Sequence, residues 1–125
     1  MTAVASARNN HLVKPVAGGF AVRARKTIAA PATAVRAAWI GARHRAHWLV
    51  GVELKVRRTA APGILSLTCV DDGSEIAVTI TPKGRAASAV VVDHTKLASA
   101  QLVAERRHCW KEMLRALKNY LERPA

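Results

Sequence analysis

The chain is poor in aromatic residues, with three Trp, one Tyr and one Phe among 125 residues; it has two cysteines and no acidic residue before Glu53. Each shortage excludes something. Cys69 sits in an apolar run and Cys109 in a helical pattern, so the pair makes no disulfide framework, and a reducing, cytoplasmic setting is expected. No apolar run approaches the roughly eighteen residues of a membrane span. The opening MTAVASARNN lacks the apolar core of a secretory leader. No internal repeat appears, and the PKG of residues 82–84 lacks the glycine spacing of a phosphate loop. The missing acids leave Arg8, Lys14, Arg23, Arg25, Lys26, Arg36, Arg43 and Arg45 unopposed along the first half, within a net charge of +12. Such a field draws phosphate polymers and acidic surfaces and says nothing about fold. Nucleic acid or an acidic protein is therefore one expected class of partner, with no folded-domain nucleic-acid motif beside it.

What is present suits one domain. Half the residues are apolar, enough for a core at this length. Residues 1–18 show no periodicity, hold Pro15 and end at a Gly-Gly pair, which predicts a flexible N-terminal arm ahead of a domain over 19–123. FAVRARKTI alternates, with Phe20, Val22, Ala24 and Ile28 on one face; Lys26 falls on that face and predicts a bulge or a sheet edge. APATAVRAAWIG reads as a helix, with Pro31 at its start, a Val35–Ala38–Trp39 stripe and Gly41 as its stop. RHRAHWL reads as a second short helix ended by Gly51. VELKVR, GILSLTCV, SEIAVTI and SAVVVDH read as four strands joined by TAAPG, DDG and TPKGRA, an antiparallel meander. From Ser99, a plausible N-cap, to Leu121 there is no Gly or Pro. Leu102, Val103, Trp110, Met113, Leu114, Leu117 and Leu121 recur there at three- and four-residue steps. At 1.5 Å per residue this is one amphipathic helix about 34 Å long. Its single apolar stripe needs the concave face of the sheet, which makes the class α+β.

Few residues invite chemistry. His44 and His47 share a helix face, but zinc wants three or four ligands, no acid or thiol is near, and Arg43 and Arg45 repel a cation. No metal or cofactor is expected. Trp39 and Trp48 are expected to pin the short helices to the sheet. His94 follows an apolar strand on the inward side. Asp93 beside it points to the other face, so the two make no direct dyad. Three roles stay open for His94: a hydrogen bond to a backbone group, a polar anchor inside a cavity, or a base. Glu53 and Glu75 read as outward strand positions. Cys69 and Cys109 lack a neighbouring base, and Arg106 and Arg107 read as the solvated rim of the last helix.

The order of elements and several motifs resemble the START-like, or SRPBCC, superfamily, in the branch named for homology to the C-terminal domain of the heat-shock chaperone ATPase activator. The carrying strings are RKTIAAPATAVRAAW (25–39), RAHWL (45–49), DDGSEIAV (71–78), TPKG (81–84), VVDHTKL (91–97) and RRHCWKEMLRALKNYL (106–121). The resemblance implies a helix-grip fold, a curved antiparallel sheet wrapped around the C-terminal helix with two short helices after the first strand. It also implies a cavity between helix and sheet for a small apolar or amphipathic ligand, in a non-enzymatic or weakly enzymatic protein. Leu102, Val103, Trp110, Met113 and Leu114 would line it from the helix; Phe20, Val22, Leu65, Leu67, Val78 and Val92 from the strands. His94 and His47 would be polar anchors, with Trp48 or His47 as a lid. The separate N-terminal domain that carries chaperone activation has no counterpart here, so that activity is not expected. With so few aromatics, the cavity is expected to be small or partly collapsed.

Overall fold

Alternation of apolar and polar residues sets the strands of this protein, and the computed structural model describes residues 13–16, 19–49, 52–61 and 63–123. Strand β1 (Val13–Val16) is followed by β2 (Gly19–Ile28), helices α1 (Ala32–Ile40) and α2 (Ala42–Trp48), and strands β3 (Leu54–Ala61), β4 (Ile64–Cys69), β5 (Glu75–Pro82) and β6 (Ser88–Leu97); helix α3 (Ala100–Glu122) comes last. The strands form one curved antiparallel sheet of six, in the order β1-β2-β6-β5-β4-β3. The fold is the α+β helix-grip arrangement expected.

Register explains the core. Val22, His94, Ile76 and Leu67 lie in one row across β2, β6, β5 and β4; Ala24, Val92, Val78 and Leu65 lie in the next. These rows face α3, whose Val103, Trp110, Met113, Leu114 and Leu117 are buried against them. Ser99 caps α3, its side chain accepting from the Leu102 N–H at 3.1 Å.

Three boundaries differ from expectation. Val13–Val16, placed by its lack of periodicity in an arm, pairs with Val22–Gly19 as an edge strand, a position where Pro15 is tolerated. β3 runs on to Ala61 through residues expected to be a connection. The irregularity expected at Lys26 lies elsewhere. The β2–β6 register slips between Phe20 and Val22, so that Ala21 faces both Thr95 and Lys96, and Lys96 takes φ +61°. Lys26 stays in register opposite Val90 and is half-buried, so no bulge lies there. Beside the bulge, Gly19 has φ +140°, and a Cβ there would collide with the Leu97 carbonyl oxygen.

The stretch GARHRAHWL is used up in holding helices together. Arg45 donates to the carbonyls of Trp39 and Ile40 at 2.7 and 2.8 Å, closing the end of α1. His44 Nδ1 meets the Tyr120 hydroxyl at 2.7 Å, and His47 stacks on the Tyr120 ring at 5.1 Å, fastening α2 to α3. Among the described residues no three His, Cys, Asp or Glu side chains come together as a metal site. No helix there is long and apolar enough to cross a membrane.

Candidate functional site: a tryptophan row and a buried polar chain

All three tryptophans turn inward. The Trp39 ring lies 4.7 Å from Trp48 and 5.9 Å from Trp110, and Trp110 lies 6.0 Å from His94. Four rings thus form a row through the interior, from α2 to the inner face of β6. Two indole N–H groups have acceptors: Trp48 donates to the Ala38 carbonyl at 3.1 Å and Trp110 to His94 Nδ1 at 2.9 Å. The third does not. Trp39 is 0% exposed and its Nε1 has no acceptor among the described residues. An unmet buried donor costs about 1–3 kcal/mol.

His94 has a definite tautomer. An indole nitrogen only donates, so Nδ1 of His94 must accept, and in the neutral ring Nε2 carries the proton. Nε2–H then donates to Ser74 Oγ at 2.6 Å, and the Ser74 hydroxyl donates to Asp72 Oδ1 at 2.5 Å. The Ser74 N–H reaches the same oxygen at 2.9 Å, and Arg106 meets Asp72 Oδ2 at 3.4 Å. The chain Trp110–His94–Ser74–Asp72 can run in one direction only. Burial, helped by the nearby Arg106 charge, lowers His94 to about pKa 4, against a weaker opposite pull from Asp72. Burial would raise Asp72, but hydrogen bonds from the Ser74 side chain and backbone and from Arg106 outweigh it and hold the carboxyl at about 2. His94 therefore has no free lone pair at neutral pH. Burial also pushes the Cys69 thiol up, away from the nucleophilic thiolate.

Most residues expected at a cavity do come together. Leu65, Leu67, Val78, Val92, Val22, Val103, Trp110, Met113 and Leu114 belong to one packed cluster that also holds Trp39 and Trp48. Phe20 and Leu102 sit half-buried at its margin. The tryptophans fill the space between α3 and the sheet. His47 is outside it, exposed against Tyr120. His94 bonds two side chains, where a backbone partner was one expectation. Arg106, expected as solvated rim, closes the polar chain instead. The sequence places Asp72 in the DDG turn and Ser74 at the start of a strand, and gives neither a role at the site. Two signals point to them: Ser74 continues the inward series Ile76, Val78, Ile80 back by one step, and Asp-x-Ser is an Asx-turn sequence. Trp39 was read as a pin alone, and sequence offers no means of seeing an unmet N–H.

No family model matches the sequence, and no curated protein matches it. Solved structures share the fold. The crystal structure of CalU16 from Micromonospora echinospora is 17% identical and superposes with a TM-score of 0.72, over 90% of this chain and 83% of that one. The solution structure of the Aha1 dimer from Colwellia psychrerythraea is 15% identical, TM-score 0.69, over 82% and 96%. A START superfamily protein from Mycobacterium smegmatis is 11% identical, TM-score 0.69, over 82% and 97%. At these identities the likeness is one of fold, and the fold of this chain is START-like.

Proposed function

We propose that the protein binds a small amphipathic molecule at the inner end of α1, between α3 and the sheet, and that it does so without chemistry of its own. The observation that carries this reading is the Trp39 indole N–H, fully buried and without an acceptor in a fold whose other two indoles are satisfied. A ligand bearing one carbonyl or hydroxyl oxygen on a short apolar body would supply that acceptor and recover much of the cost of the unmet donor. Because the tryptophans fill the interior, entry requires Trp39 or Trp48 to move. The ligand is therefore small, and its affinity is reduced by the cost of opening. Binding is favoured over turnover because His94, the one inward histidine among the described residues, has both ring nitrogens engaged, so it serves neither as base nor as anchor. The strings shared with the chaperone-activator branch, together with the Aha1 fold likeness, support placing the chain in that branch. Thermal melts of the wild type and of Trp39→Phe with a panel of medium-chain alcohols, ketones and phenols test the reading. A compound that raises the wild-type midpoint and leaves Trp39→Phe unmoved is the expected result. Equal shifts in both proteins, or no shift in either, would contradict it.

A further inference from the structure

The positive charges of the chain are unevenly matched. Arg23, Lys96, Arg106, Arg115 and Lys118 each have a carboxylate oxygen within 4.0 Å. Arg25, Lys26 and Lys83 have none among the described residues. These three line, with Lys118, one cleft of about 650 Å³, Arg25 and Lys26 reaching it from opposite faces of β2. It lies on the second half of β2, at the turn after β5 and beside the last turns of α3. The carboxylate next to it is Glu122, which is already committed: its Oε2 accepts from the Ala29 N–H and from Lys118 Nζ, each at 2.6 Å. Those two bonds, with a smaller contribution from Lys26, hold the Glu122 carboxyl below its usual range. Among the described residues, one carboxylate thus stands beside these four cations.

Lys26 is the informative member. It occupies a core-side position in the series Val22, Ala24, Lys26, Ile28, where an apolar residue would bury more surface. Its neighbour across the ladder is Val90. A half-buried lysine at the rim of an apolar face, with no carboxylate bonded to it among the described residues, is what an anion site needs and a core does not.

We propose that this cleft binds a phosphoryl group, the doubly charged head of a phosphomonoester. The charge number favours that class, because a single carboxylate ligand would leave most of the cluster unneutralised. The Thr27 position adds a hydroxyl to the lining. The volume suits a small phosphorylated molecule, since a duplex would need an extended stripe of cations. Nothing in this proposal depends on the interior site: the cleft is outside the core, and Trp39 takes no part in it.

Calorimetric titration of the full chain at low ionic strength, with inorganic phosphate and with phenyl phosphate, tests it. Saturable one-to-one binding of both is expected. Lys83→Ala, in an exposed turn where folding is not at risk, should weaken binding about tenfold, and Lys26→Ala by a similar factor. Lys55→Ala/Arg57→Ala removes two charges from β3 and should change affinity by less than about twofold, because screening suppresses distant surface charge. A monomeric short-chain phosphatidate identifies the source. Tighter binding than phenyl phosphate marks a lipid head, and equal or weaker binding marks a water-soluble ester. Titrations that never saturate, or equal losses in the β3 control and in Lys83→Ala, would overturn the proposal.

Discussion

At the scale of single residues, the buried histidine decides what the interior can do. The direction of its hydrogen bonds follows from one fact: an indole nitrogen cannot accept. Protonating His94 would set a new N–H against the Trp110 N–H, so burial and bonding agree in keeping the ring neutral. The consequence for stability has a definite sign. The folded pKa, about 4, lies below the ordinary 6.5, so the unfolded chain takes up this proton first as pH falls. The contribution is complete above about pH 6.5 and is lost progressively down to about pH 4, amounting to about 3 kcal/mol. Urea unfolding at pH about 7.5 and about 5 should differ by about 2 kcal/mol of this loss. In His94→Gln, which keeps polar atoms but does not titrate, that part of the slope should vanish. A slope unchanged in the variant would mean that another group carries it.

At the scale of elements, the pleat and the turns are governed by a few backbone positions. Gly19 is required where β2 enters the sheet, because its φ of +140° and the nearby Leu97 carbonyl leave no room for a side chain. Gly19→Ala should therefore cost more than about 2 kcal/mol in a denaturant titration, well above an ordinary exposed strand substitution. Less than about 0.5 kcal/mol would show that the bulge yields freely. This corner also shows what could be read from the sequence. The period-two series of β4, β5 and β6 and the three- and four-residue steps of α3 have strong local signals, and they gave both the sheet face and its partner helix. The bulge at Thr95–Lys96 has no local signal, since it answers the chain across the ladder, and Lys26, in register opposite Val90, is no trace of it. β1 is too short to show a period, and its pairing comes from β2. Likewise Leu65, Val92 and Trp110 were identifiable as inward residues, whereas the Asp72–Ser74–His94 chain joins a turn to a strand two elements away. His47 has helical spacing toward the sheet, yet Tyr120 from the far end of α3 draws it to the surface.

At the scale of the whole molecule, charge and aromatic content divide the protein into two parts. The interior concentrates every tryptophan in one row, and there the scarcity of aromatics in the sequence becomes a dense local filling. The exterior carries the positive excess, and Arg25, Lys26 and Lys83, which have no carboxylate partner among the described residues, line one cleft with Lys118. The interior account turns on a single indole proton, and the spectrum of a ¹⁵N-labelled chain reports it directly. Three indole resonances are expected, and those of Trp48 and Trp110 already feel an acceptor. On titration with a compound that stabilises the fold, the Trp39 indole proton should move downfield, as a new hydrogen bond requires, and should move further than the other two. If that resonance stays in place while the compound binds, or if all three move alike, the buried donor is not the ligand's partner and the proposed site is wrong.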